Sequence, residues 1–205
     1  MNSVSINRRE KKKIKMVNKI ISTAVNLFNN KGVSNTTMEE IAETVDISKG
    51  TLYNYFSSKE EIISSYIKNS FKENYSNRIN KINELENTQK KIEFIYKLLL
   101  TGIGKDEDLF EYYLVYRMKK MVSFEQKNEE KSGLYLIGEK IIKDGQKKGE
   151  IRNDISLTVI REFFEFIFIQ IVKEYFLLKD KKEIDKKIPK YIDLFMKGVK
   201  KNAES

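Results

Sequence analysis

Lys49, Gly50, Thr51, Tyr53, Asn54 and Tyr55 fall within seven consecutive residues, KGTLYNY, between Ser48 and Phe56. An ammonium, a hydroxyl, an amide and two phenols in one short run are equipped for hydrogen bonding along a polar partner. Ser48 suits the N-cap of a helix over Lys49 to about Phe56. At roughly 100° per residue, Leu52 and Phe56 then share the inner side. Gly50, Thr51 and Asn54 point outward, and Tyr53 and Tyr55 lie on the flanks, where a phenol rests its apolar body and offers its tip to a phosphate. The outer face is small, polar and uncharged apart from Lys49 at the N-terminal end. Such a face fits the major groove of DNA, because small residues permit close approach and a lysine there donates to guanine O6 or N7. A second reading of Tyr53 and Tyr55, as ordinary packing aromatics, stays open.

The elements that must hold this run in place are legible on either side. Ile14, Val17, Ile21, Ala24 and Phe28 recur at steps of three and four, the stripe of a first helix, and Gly32 supplies a left-handed stop. Thr36-Thr37-Met38-Glu39 has the T-x-x-E form of a capping box. Ile41, Ala42 and Val45 give the short helix after it a buried face. Ser57 and Ser58, with Glu60 and Glu61 three residues on, open a fourth helix, and Lys59 sits where free backbone N–H groups hold a phosphate. A capped helix pair anchored by Leu and Phe is also a good generic core motif. The full run from Ile20 to Ile63 is more specific: it reads as a helix-turn-helix, a unit that lays one short helix in a DNA groove.

That run resembles the DNA-binding domain of the TetR (tetracycline-repressor) family. The family's pattern of I, A, LF and G, then T, IA, V and S, then GTLY, F, SKE and an aliphatic residue is matched here over about 45 residues. The resemblance implies DNA contacts at Thr37, Lys49, Gly50, Thr51, Tyr53, Asn54, Tyr55 and Lys59, with Ser48 beside them. One departure is Asp46, where many members carry Gly in the turn. Asp tolerates the left-handed conformation better than most residues, so the turn is expected to survive.

Composition narrows the alternatives. The chain has 205 residues, 40% hydrophobic and 34% charged, with no Cys and no His. Zinc fingers, disulfides and histidine-dependent catalysis are therefore excluded, which argues against an enzyme and leaves only carboxylate or lysine chemistry open. No cofactor motif and no metal cluster stand out. No apolar run reaches membrane-span length, and a cytoplasmic protein is expected. Of the net charge of +9, residues 1–20 contribute six, through Arg8, Arg9, Lys11, Lys12, Lys13, Lys15 and Lys19 against Glu10. This stretch reads as a basic arm that adds salt-dependent affinity for DNA, or as a solvated leader, or as both.

With one proline and no β alternation, the remainder reads as helices near 58–82, 88–102, 106–121, 126–147, 156–179 and 186–201. The expected fold is all-α: a three-helix helix-turn-helix domain over 1–57, with the basic arm, and a helical bundle over 58–205 for ligand binding and dimerisation. Ile62, Ile63, Tyr66, Ile67 and Phe71 continue a stripe along the fourth helix, the expected lever between the halves. Gln146 to Asp154, QKKGEIRND, resembles the loop that often precedes the penultimate helix in the TetR family. Residues 157–178 are apolar on nearly every side, as a helix buried all round must be. With Tyr191, Ile192, Leu194, Phe195, Met196 and Val199 of the last helix, whose first turn Pro189 suits, they form either a two-fold dimer interface or the centre of a monomer's core.

The family resemblance also implies an effector pocket between residues 88 and 178. Tyr96, Leu99, Phe110, Tyr113, Leu114, Met118, Met121, Tyr135, Phe164 and Phe168 are its candidate lining, with Arg117, Glu165 and Gln170 as polar groups. Met and aromatic side chains suit an apolar or amphipathic molecule. An inward Glu favours a lipophilic cation, and an inward Arg favours a fatty acid or acyl thioester. The expectation is a ligand-responsive regulator, a repressor that binds double-stranded DNA as a homodimer at an inverted repeat. The alternative is a DNA-bound organising or protein-recruiting factor without an effector.

Overall fold

The computed structural model describes residues 7–121 and 131–200, apart from the side chains of Lys120 and Met121. The described residues are helical almost throughout: α1 (Arg8–Lys31), α2 (Met38–Val45), α3 (Lys49–Tyr53), α4 (Lys59–Glu73), α5 (Tyr75–Asn83), α6 (Thr88–Ile103), α7 (Glu107–Met121), α8 (Gly133–Lys147), α9 (Leu157–Leu177) and α10 (Ile184–Val199). A lone antiparallel bridge joins Ile151 to Lys200. They fall into two compact units, one within 1–70 and 106–124, the other within 71–105 and 125–205.

The first unit packs α1, α2 and α3 around Ile20, Ile21, Ala24, Phe28, Ile41, Val45, Leu52 and Phe56, with Ile62 and Ile63 of α4 closing the core. Leu109 of α7 is 2% exposed in the same core, and Tyr112 and Tyr113 pack against it. Tyr112 and Ser34 join their hydroxyls, tying α7 to the turn after α1. Gly32 has φ 85°, ψ 155°, a positive φ but an extended ψ, so it stops α1 without the left-handed helical turn expected of it. Asp46 does adopt that conformation, at φ 63°, ψ 52°. Ile14, expected on the buried stripe, is 47% exposed: α1 begins at Arg8, capped by Asn7, and its first turns run past the core. The basic residues from Arg8 to Lys19 are thus helical.

The capping box is shifted by one residue. Thr37 caps α2, accepting from Glu40 N at 3.1 Å, whereas Thr36 is buried and donates to Gly32 O at 2.9 Å. Met38 is buried and sets the phase of the helix. Glu40 pairs with Lys31 instead of reaching back to the cap. At the start of α4, Ser58 Oγ accepts from Glu61 N, and the Glu61 carboxylate accepts from Ser57 N and Ser57 Oγ.

In the second unit the helix expected over 58–82 is broken at Asn74, which has φ −102°, ψ 2° between α4 and α5. The apolar stripe ends at Phe71, and Asn74, Ser76 and Asn77 follow, side chains that compete for backbone hydrogen bonds. Helices α6, α8, α9 and α10 surround Tyr96, which is 0% exposed and donates its hydroxyl to Phe164 O at 2.6 Å. The QKKGEIRND loop works as a clasp. Gly149 turns it at φ 71°, Glu150 accepts from Thr88 N at the start of α6, and Arg152 N donates to Val199 O at 2.8 Å. A Cβ on Gly145 would lie 2.7 Å from Thr88 Oγ1 and 2.9 Å from Ile151 Cδ1, so the closeness of loop and helix requires glycine there.

Helix α9 is not buried on every side. Val159, Phe163, Phe166 and Leu177 are 44%, 59%, 49% and 74% exposed, at the spacing of one face. On α10, Ile192, Phe195, Met196 and Val199 are buried within the protomer, Tyr191 donates to Glu174 at 2.7 Å, and Leu194 is 69% exposed. Of the six α10 residues expected at an interface, Leu194 is the one left outward. Pro189 lies inside α10 and not in its first turn, because a 3₁₀ turn at Lys181–Glu183 starts the helix early. The proline lacks the N–H that would reach Asp185 O, a loss limited by its exposed position.

Candidate nucleic-acid interface

Helix α3 is held from behind and bare in front. Leu52 is 0% and Phe56 4% exposed, whereas Ser48, Lys49, Gly50, Tyr53 and Asn54 are exposed. The helix is shorter than expected, ending at Tyr53 with Asn54 as its C-cap, although Phe56 N still bonds Leu52 O at 3.0 Å. Ser48 Oγ accepts from Thr51 N at 3.1 Å and lies 2.8 Å from Thr51 Oγ1, so both hydroxyls serve the cap. Thr51 and Tyr55 are half-buried, and Tyr55 packs on the core while Tyr53 remains 43% exposed.

Gly50 is informative because the fold has no use for it. It sits inside α3 with ordinary helical backbone, and a Cβ there would meet nothing within 4 Å. Glycine in a helix costs about 0.5–1 kcal/mol relative to alanine. The empty space lies outside the protein, on the face that carries Lys49 and Asn54.

Lys49 forms an ion pair with Glu39 of α2, the residue expected from the sequence to be the glutamate of the capping box. Both are solvent-facing, and the pairing holds the carboxyl below its usual range and the ammonium above its own. The Lys49 ammonium also lies 5.8 Å from the centre of the Tyr53 ring. A longer-range signal was available in Glu39 and Glu40 at the start of a helix whose neighbour opens with a lysine. Lys59 stands differently from expectation: its ammonium donates to Val33 O and Thr36 O, each at 2.7 Å, and ties down the turn between α1 and α2. Lys19 donates likewise to Val45 O at 2.7 Å. Thr37 is exposed at the start of α2, its oxygen engaged as the cap.

The candidate effector residues divide between the units. Phe110, Tyr113, Leu114, Arg117, Met118 and Met121 belong to α7 in the first, with Met118 41% exposed and the Met121 side chain outside the described residues. Tyr96, Leu99, Tyr135, Phe164, Glu165, Phe168 and Gln170 belong to the second. There Tyr96 contacts the rings of Phe164 and Phe168 at 5.0 and 5.1 Å between centroids. A Cβ on Gly138 would lie 2.6 Å from the Phe164 ring. Glu165 pairs at 3.4 Å with Arg161, whose guanidinium lies 4.0 Å over the Tyr135 ring. Burial, together with the nearby Glu165 charge, pushes the Tyr96 phenol well up. Arg161 escaped the sequence reading, although its place four residues before Glu165 on one helix was the signal for a pair. Among the described residues no group of acidic side chains could hold a metal ion, and no helix is long and apolar enough to cross a membrane.

Residues 20–66 match the family model described as bacterial regulatory proteins, tetR family. Over 95 residues, 46% of this chain, the sequence is 35% identical to the biofilm operon icaADBC HTH-type negative transcriptional regulator IcaR of Staphylococcus aureus. The aligned region spans half of that relative's length. Among solved structures, the fold is similar to Thermus thermophilus FadR in complex with lauroyl-CoA, with a TM-score of 0.72 at 18% identity over 92% of this chain and 98% of that one. RolR in complex with resorcinol gives 0.67 at 17% identity, over 92% and 89%.

Proposed function

We propose that the chain, whose residues 20–66 match the model for bacterial regulatory proteins of the tetR family, is a member of that family and a ligand-responsive repressor of transcription. The observation that carries the reading is α3, anchored by Leu52 and Phe56 and presenting Lys49, Gly50 and Asn54 outward around space that the fold leaves empty. Residues 1–57 then contain the DNA-reading surface, and the helical α1 extension from Arg8 to Lys19 supplies counterion release along the phosphates. Thr37, Ser48, Thr51, Tyr53 and Tyr55 position the helix or touch the backbone, and Lys59 acts by fixing the α1–α2 turn.

Residues 58–205 dimerise and bind the effector. Val159, Phe163, Phe166 and Leu177 of α9 with Leu194 of α10 are the exposed apolar side chains that a two-fold partner would cover. Two α3 helices in such a dimer read half-sites roughly 34–36 Å apart, in an inverted repeat in cytoplasmic DNA. The effector is apolar or amphipathic, in keeping with the lauroyl-CoA and resorcinol of the structural neighbours. It releases DNA to the extent that it binds better to a second spacing of the two α3 helices. Footprinting on the chain's own upstream region, repeated with acyl-CoA thioesters and small phenols, tests both halves. Protection of an inverted repeat that one compound abolishes is the expected result, and no protection of any duplex overturns the reading. The close packing of Tyr96, Phe164 and Phe168 favours a second reading in which the DNA-bound dimer recruits a protein and no compound changes its footprint.

A further inference from the structure

A carboxylate has no evident business on a surface that meets phosphates. Glu39 nonetheless stands there, on the first turn of α2, paired with Lys49 at the first turn of α3. Its side chain is 49% exposed; the first turn of α2 favours an acid there, a preference that Glu40 beside it also meets, but nothing in the core holds the carboxylate against Lys49. The K-G-T-L-Y-N-Y run adds no other acid to the outer face of α3. Paired with Glu39, Lys49 releases less counterion from DNA than a lone lysine would, which leaves discrimination as its larger contribution.

The chemistry of base edges says which discrimination. An ammonium seeks the acceptors of the major groove, guanine O6 and N7, adenine N7 or thymine O4; a carboxylate is repelled by all of these and attracted by the exocyclic amines, cytosine N4 or adenine N6. The ammonium keeps donors to spare while bound to Glu39. We propose that Glu39 is a specificity-determining residue: it accepts a hydrogen bond from an exocyclic base amine while Lys49, held beside it, donates to the neighbouring acceptor. Edges that set an acceptor where the amine should be are rejected by Glu39. The depressed carboxyl of Glu39 fits this role, since it stays ionised and acceptor-only. The inference rests on the DNA-binding reading above and adds a residue to it.

The test is selection from a randomised duplex library with the full-length wild type, Glu39→Gln, Glu39→Ala and Lys49→Ala, followed by salt titrations on the selected and scrambled sites. In the wild type one position per half-site is enriched for cytosine or adenine, the bases with an exocyclic amine, on the strand that faces Glu39, over guanine and thymine, which set an acceptor there. Glu39→Ala loses about tenfold discrimination at that position and keeps the others. It also binds scrambled duplex several-fold more tightly, with a salt slope steeper by about one phosphate per protomer, because Lys49 is freed. Glu39→Gln, isosteric and without the charge, steepens the slope equally and loses part of the discrimination. Unchanged preferences at every position in both Glu39 variants, with only a uniform rise in affinity, overturn the proposal while leaving DNA binding intact. A wild type with no salt-sensitive affinity for any duplex overturns the DNA-binding reading itself, and Glu39 with it.

Discussion

Two ion pairs, one in each unit, divide the molecule's labour. Glu39 and Lys49 have side chains 49% and 58% exposed, whereas Arg161 and Glu165 are 9% and 10% exposed. Water screens the first pair, so it stabilises the fold by little, and its geometry is available to an outside partner. The second pair has lost its water, and each charge depends on the other. In the second unit the fold consumes Arg161, Glu165, Glu150 and the Tyr96 hydroxyl, and in the first it consumes Thr36, Lys19 and Lys59. Exposed polar side chains that serve no cap and no core, Glu39, Lys49, Tyr53 and Asn54, gather on α3 and the start of α2. An exposed polar group with no structural duty is the better guide to where the protein meets its partner.

The contrast breaks most readily at the buried pair. Glu165→Ala leaves the Arg161 guanidinium with the exposed Glu162 and the Tyr135 ring. A loss of about 3 kcal/mol in unfolding free energy is expected by chemical denaturation. Replacing both partners by apolar residues of similar volume restores most of it; an equally unstable double variant would mean that the pair matters for shape and not for charge. Gly138→Ala sharpens the same point by pressing on the Phe164 ring, at a cost of about 1–3 kcal/mol.

On the exposed side, Lys49→Ala and Asn54→Ala are expected to leave the melting temperature within about a degree, and each to weaken the footprinted site by about 1–3 kcal/mol. Gly50→Ala should separate folding from binding most cleanly. It stabilises the protein by about 0.5–1 kcal/mol, while the added methyl obstructs close approach and lowers DNA affinity. A stabilised variant with undiminished affinity would remove Gly50 from the interface.

The smallest effect concerns acid. Glu174 is held below the usual carboxylate range by hydrogen bonds from Lys187 and then Tyr191, and in return the Tyr191 phenol is pushed up to about 12. A depressed carboxyl stabilises the fold above its unfolded value and loses that contribution as pH falls through the folded one. Glu174→Gln should therefore lower the unfolding free energy slightly at neutral pH and flatten part of the decline below the ordinary glutamate range, so that denaturation curves of wild type and variant converge in acid.

Much of this was legible in the sequence where the determinants are local. Leu52 and Phe56 four residues apart, Ser48 as a cap and Asp46 in the left-handed turn all follow from spacing and residue type. Long-range partners were not legible: nothing near Lys59 announces the carbonyls of Val33 and Thr36, which lie more than twenty residues away. Thr36 and Thr37 are equal as local caps, and burial of Met38 decides between them. The break at Asn74 lost out to an apolar stripe that ends just before it. On α10, periodicity marked the apolar face but not whether it turns inward or toward another subunit, and most of it turns inward. Helix α7 was hardest, since LFEYYLVYRM is apolar on several sides and its sequence neighbours α6 and α8 belong to the other unit.

Leu109 has an engineering consequence. Chimeric regulators are assembled by grafting a DNA-reading head onto a foreign body at a single splice point, and a splice at residue 57 would take the head without the α7 side chain that plugs its core. Grafts of this protein should carry their own residues 107–113 or a designed substitute for them, and bare heads should prove soft until that plug is restored.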